Sequence, residues 1–207
     1  MILHVLRSKY VLISPDKWQS LEIEESQQLD RWTTELLDIG FLQVGNCEMK
    51  ASQSESYTAR IFFNDKNSYF GGIFKIGKHQ LFCSLFLLLE QEWSLTVNNN
   101  SDPQLQANNY VFCRLPRHPF KIIPNISPTD LSHILDNWIE DLLFPFGASK
   151  ITNDTAMAIM LTAISKGSVI TGRRLLPKSM IWLLIEDWWF TLHPRLEWLG
   201  DYSKLKF

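Results

Sequence analysis

Leu81 to Leu88 is apolar at odd and even positions alike, with Cys83 and Ser84 the only weaker members of the run. Successive side chains of a strand point to opposite faces of its sheet, so such a segment is a central strand covered on both sides. The rest of the chain must therefore supply two covers and the neighbouring strands.

The neighbours are readable from a period of two. It runs through Tyr57, Ala59, Ile61 and Phe63 and again through Trp93, Leu95 and Val97, with turn-rich breaks at Asn64-Asp65-Lys66-Asn67 and Gly77-Lys78. Six candidate strands follow, near 41–49, 56–63, 68–76, 79–89, 92–98 and 109–115. Their short connections imply an antiparallel meander.

The covers are helices. Glu24 to Gly40 sets Leu29, Trp32, Leu36 and Leu37 on one face and ends at a glycine. Ser127-Pro128-Thr129-Asp130 opens a second helix with an N-cap serine, a first-position proline and an acid in the first turn. Its buried stripe is Leu131, Ile134, Leu135, Trp138 and Leu142, and Pro145 ends it. A third, from about Asn153 to Lys166, is apolar almost all round, and a fourth runs from about Pro177 to Leu192 with Trp182, Trp188 and Trp189. The sequence predicts an α+β fold: a meander of about six strands packed by helices in residues 1–147, and a Trp-rich helical extension in 148–207 docked on it. Within that extension Ile181, Leu184, Ile185 and Trp188 are expected to face inward, with some tryptophan surface left over.

Hydrophobic residues make up 45% of the 207 and charged residues 20%, the range of chains that fold without a staple. The net charge of −2 argues against nucleic acid as a partner. Residues 1–147 carry 12 Lys/Arg against 17 Asp/Glu and residues 148–207 carry 8 against 5, so the extension is mildly basic. Three scattered cysteines, Cys47, Cys83 and Cys113, suit buried thiols in a reducing compartment rather than a disulfide framework. The opening residues lack the apolar core of a secretory leader. A cytoplasmic location is expected, and the glycosylation acceptors at Asn99, Asn125 and Asn153 then carry no weight. The last helix has about 16 residues against the roughly 20 that a membrane span needs, with Glu186-Asp187 in its middle.

Reaction chemistry is sparse. His133, Asp136, Asn137 and Glu140 share a helix face and form the best metal-like cluster, yet no Cys-x-x-Cys or His-x-x-x-His spacing joins them. Neither a glycine-rich phosphate loop nor a Gly-x-Ser-x-Gly elbow is present. No metal, cofactor or catalytic residue is assigned, and an enzyme using His133 and the 129–141 carboxylates ranks last. What stands out instead is aromatic: of eight tryptophans, five follow residue 137. Trp182 and Trp189 with Arg173 and Arg174 form a candidate partner-binding surface, aromatics and arginine being good interface anchors. The expected function is non-catalytic binding or assembly with a protein partner; peripheral membrane contact is a weaker alternative for the same residues.

In element order, one helix, a meander and then a long helix, residues 1–145 resemble the helix-grip proteins, which wrap a curved sheet around a helix and often hold apolar ligands. That resemblance implies a carrier or sensor of an apolar small molecule, with Phe82, Phe86, Trp93 and Trp138 lining the pocket.

Overall fold

In the computed structural model the described residues are 9–12, 18, 21–50, 56–77, 80–112, 114–142, 151–152, 154–163 and 180–204. Eight strands form one sheet in sequence order: β1 (Lys9–Leu12), β2 (Leu42–Lys50), β3 (Ser56–Asn64), β4 (Tyr69–Ile76), β5 (Phe82–Leu88), β6 (Ser94–Asn98), β7 (Phe120–Ile122) and β8 (Glu197–Trp198). All neighbours pair antiparallel except β6 and β7, which run parallel. Five of the six expected strands are present and the α+β class stands. The sixth, near 109–115, is instead largely helix: α2 spans Pro103–Phe112. Its apolar residues Tyr110, Val111 and Phe112 look like strand material, but the chain must cross from the end of β6 to start a parallel β7, and such a crossover is usually helical.

Four polar residues fix that crossover. Asn99 Oδ1 accepts from the Cys83 amide (2.7 Å) and its Nδ2 donates to the Ile126 carbonyl (2.7 Å). Asn100 Oδ1 accepts from the Asp102 amide, and Gln106 Nε2 donates to the Asn100 carbonyl. Asp102 then caps α2 by accepting from the amides of Gln104 and Leu105. Buried amide side chains replace the ladder bonds that the chain gives up on leaving the sheet.

One face of the sheet is covered by α1 (Ile23–Asp38) and α3 (Pro128–Leu142). Each starts and stops for local reasons. The Glu25 carboxylate reaches back to the Glu22 amide at the head of α1, and Gly40, at φ +90°, releases the chain at its end. Ser127 Oγ accepts from the Asp130 amide at the head of α3. Leu29, Trp32 and Leu36 of α1 and Leu131, Leu135, Trp138 and Leu142 of α3 join Cys83, Leu85, Leu87, Trp93, Leu95 and Val97 in the larger core. Two polar ties orient the helices: Tyr69 Oη donates to Asp136 (2.6 Å), and Lys75 pairs with Glu25.

The opposite face is covered in two places. Over β2 to β5 lies a helix at 154–163, here α4, whose Ala156 and Met160 are buried with Cys47, Ala59, Ile61, Phe63 and Phe70. Its Met157 presses on a bulge of β2 between Gln43 and Gly45; a Cβ at Gly45 would lie 2.6 Å from the Met157 methyl, so a larger residue there would displace that flexible tip. Residues 153 and 164–166 of this expected helix, and 177–179 of the expected last one, lie outside the described residues. Over β6 to β8 lie α2 and α5 (Met180–Leu192), meeting at Ala107, Leu183 and Phe190 above Phe120 and Ile122. The prediction that β5 is covered on both faces holds.

Candidate functional site

The Met180–Leu192 stretch of α5 is apolar on every side apart from Glu186, Asp187 and Thr191, so periodicity alone does not fix its rotation. The structure does. Leu183, Glu186 and Phe190, at i, i+3 and i+7, turn inward. Glu186 reaches Arg114 at 3.2 Å, both side chains being more than four-fifths covered, and the Arg114 guanidinium lies 5.5 Å from the centre of the Trp198 ring. Trp198 Nε1 donates to the Leu115 carbonyl at 3.0 Å while β8 pairs with β7, and Lys121 meets Glu197 at 3.1 Å. Beyond α5, Gly200 adopts φ +58° where a Cβ would collide with the Pro116 carbonyl oxygen. The helix is thus clamped by its inner face and by the strand that follows it.

The outer face is left in solvent. Ile181, Trp182, Leu184, Ile185, Trp188, Trp189 and Leu192 are each 46–71% exposed. On a helix of 3.6 residues per turn these seven cluster on the side opposite Leu183, Glu186 and Phe190. Trp189 stacks on His193, ring centres 4.3 Å apart, one turn on. The expectation that Ile181, Leu184, Ile185 and Trp188 face inward is therefore corrected: all four are on the outside. Leu183, Phe190 and the Glu186–Arg114 pair together occupy the inner face, which leaves these four residues on the outside. Glu186 amid apolar neighbours was the signal in the sequence, and it needed a buried cation as partner to be decoded.

The partner-surface residues Trp182 and Trp189 are on this exposed face; Arg173 and Arg174 lie outside the described residues. The four residues expected to line a pocket are divided between two faces. Trp93 and Trp138 are buried with α1 and α3, whereas Phe82 and Phe86 point to the other side, stacked on Phe74 and Phe70 at 5.3 and 5.1 Å. Strand alternation causes the split: Phe82 and Phe86 share a face with each other but not with Cys83, Leu85 and Leu87.

Other chemistry-bearing groups have structural partners. His133, Asn137 and Glu140 face solvent, and Asp136 accepts the Tyr69 hydroxyl; burial, then that hydrogen bond, push the Tyr69 hydroxyl well above its ordinary range. Among the described residues no three His, Cys, Asp or Glu side chains group to hold a metal ion. Ser94 Oγ lies 2.6 Å from His118 Nδ1, and burial holds the imidazole below its usual value, favouring the neutral ring. Ser94 is itself buried and its amide donates to the Arg117 carbonyl, so the pair ties β6 to the 115–118 turn. Burial pushes the Cys47 thiol up to about 11 and that of Cys83 further, away from the nucleophilic thiolate. No helix among the described residues is long and apolar enough to cross a membrane. No family model, curated protein or solved structure matches this chain.

Proposed function

We propose that this chain is a non-catalytic binding or assembly protein acting through the outer face of α5, in the reducing environment of the cytoplasm. The observation that carries this is the exposure of seven large apolar side chains, three of them tryptophan, on one helix of 13 residues. Soluble monomers rarely leave a continuous apolar patch of more than a few hundred Å² in water, and the side chains of α5 exceed that. The rigid mounting supports the same reading, because a helix clamped by Leu183, Phe190 and the Glu186–Arg114 pair presents its outer side chains with little ordering left to do on binding. Free, buried thiols at Cys47 and Cys83 agree with a reducing compartment.

The test is hydroxyl-radical footprinting of α5 in the full chain isolated under native conditions and again after mild denaturation and refolding at high dilution. Protection of Trp188 and Trp189 in the native isolate, lost on dilution, is expected. Trp189→Glu should abolish the protection of Trp188 without lowering the melting temperature of the dilute chain. A native isolate in which both indoles react as freely as in the diluted chain overturns the proposal.

A further inference from the structure

Resting on that reading, we infer that the occupant of the α5 face is a second copy of this chain, docked antiparallel across a two-fold axis. Three observations lead there. The first is size. At about 150–250 Å² per large apolar side chain, the seven exposures of 46–71% leave roughly 600–1,000 Å² of surface, comparable to the ~800 Å² that each partner gives to a stable interface. The second is composition. A face this uniformly apolar resembles the cut core of an obligate homodimer more than a transient surface, which is about as polar as the rest of the protein.

The third is symmetry. Ile181, Ile185, Trp188 and Leu192 are spaced four, three and four apart, so the stripe reads the same toward either end, about a midpoint between Glu186 and Asp187. Turning a copy of α5 over that midpoint sets Ile181 against Leu192, Ile185 against Trp188 and Leu184 against Trp189, each contact made twice as an isologous interface requires. Trp188 and Trp189 each meet an aliphatic side chain and Trp182 meets Thr191, so no indole faces another, which lets the helices approach to the usual 8–10 Å or so between axes.

Charge argues against a lipid surface as the occupant. A helix lying in an anionic interface carries Lys and Arg along its polar side. The only charged residues of α5 are Glu186 and Asp187. Glu186 is turned inward against Arg114 and Asp187 is exposed, so the helix itself offers anionic headgroups no cation.

The test is sedimentation velocity of the full chain at micromolar concentration. A species of twice the 24.1 kDa chain mass is expected. Trp188→Glu and, separately, Ile185→Glu should weaken self-association by about 30-fold or more while leaving the far-UV spectrum unchanged. Should either variant misfold, register is read without disruption: a mixture of Ile185→Cys and Trp188→Cys chains is expected to form an intermolecular disulfide under mild oxidation faster than either alone. A folded wild-type monomer, or a dimer that both glutamate variants leave intact, overturns the inference. So does a monomer that sediments with vesicles of one-third phosphatidylserine. A monomer whose α5 indoles are nonetheless protected in the native isolate removes the two-fold dimer and leaves the broader binding proposal in place; a monomer with unprotected indoles removes both.

Discussion

Helices α3 and α5 are close in length, yet six of the 15 residues of α3 are Leu, Ile or Trp while ten of the 13 in α5 are apolar, and the two spend that content differently. α3 buries Leu131, Leu135, Trp138 and Leu142 and turns His133, Asn137 and Glu140 to water. α5 buries Leu183 and Phe190 beside a charged residue and turns seven large apolar side chains outward. The hydrophobicity of α3 is consumed by folding; much of that of α5 is left over when folding is complete. The lesson is that apolar content alone does not locate a core. What decides is the face that the body selects, and on α5 that face holds two apolar side chains and an ion pair.

The comparison breaks first, and by the largest margin, at Leu135. It is fully buried beneath α3, so Leu135→Ala should cost about 3–4 kcal/mol and lower Tm by roughly 6–15 °C, measured by thermal melts followed by circular dichroism. Next is Glu186→Ala, which leaves the Arg114 guanidinium without this carboxylate in a largely covered site. A loss of about 2–3 kcal/mol is expected, with amide exchange accelerating in α5 and β8 while α3 stays protected; equal acceleration in both helices would contradict separate anchoring. Tyr69→Phe removes the hydroxyl that ties the sheet to Asp136 of α3, and a charge-assisted bond of this kind is worth about 1.5–3 kcal/mol, the lower end applying at a part-exposed carboxylate.

A smaller effect appears as a pH dependence. Burial holds His118 below its ordinary value of 6.5, so the unfolded chain takes up a proton there before the folded one does. This contribution to stability is complete above pH 6.5 and declines as the pH falls through the lower folded-state value. Chemical denaturation at a series of pH values should show the decline, and His118→Gln should flatten it. The smallest effect is the most telling: Leu184→Ala on α5, chemically the same truncation as Leu135→Ala, should change the stability of the dilute chain by no more than about 0.5 kcal/mol.

The fold was legible where one force dominates. Alternation along β3 and β6, the unbroken apolar run of β5, the Ser127 cap of α3 and the glycine exit at Gly40 are local signals, and the structure agrees with each. Legibility failed where a partner distant in sequence decides the outcome. Residues 109–115 look like a strand until the Asn99 and Gln106 side chains set the crossover of α2. The two residues of β8 are too few to form a period, and they exist as a strand because Phe120 and Lys121 are already there to pair with Trp198 and Glu197. On the candidate surface, Trp182 and Trp189 were identifiable from aromatic content, whereas the inward set on α5 was misassigned because Arg114 is 72 residues from Glu186.

The parallel junction between β6 and β7 has a consequence for how the molecule comes to be folded. Strands β2 to β6 are joined by short links, so their ladders close over small sequence separations and form early. The outer edge of β7 closes only when Trp198 arrives, with its indole donating across 83 positions to the Leu115 carbonyl and Tyr202 reaching the Leu142 carbonyl. Until then a chain emerging from the ribosome carries a finished meander, an open strand edge and no α5 to shield Phe120 and Ile122. Residues 197 and 198 therefore close an edge that a chain lacking them would leave open to a wrong neighbour.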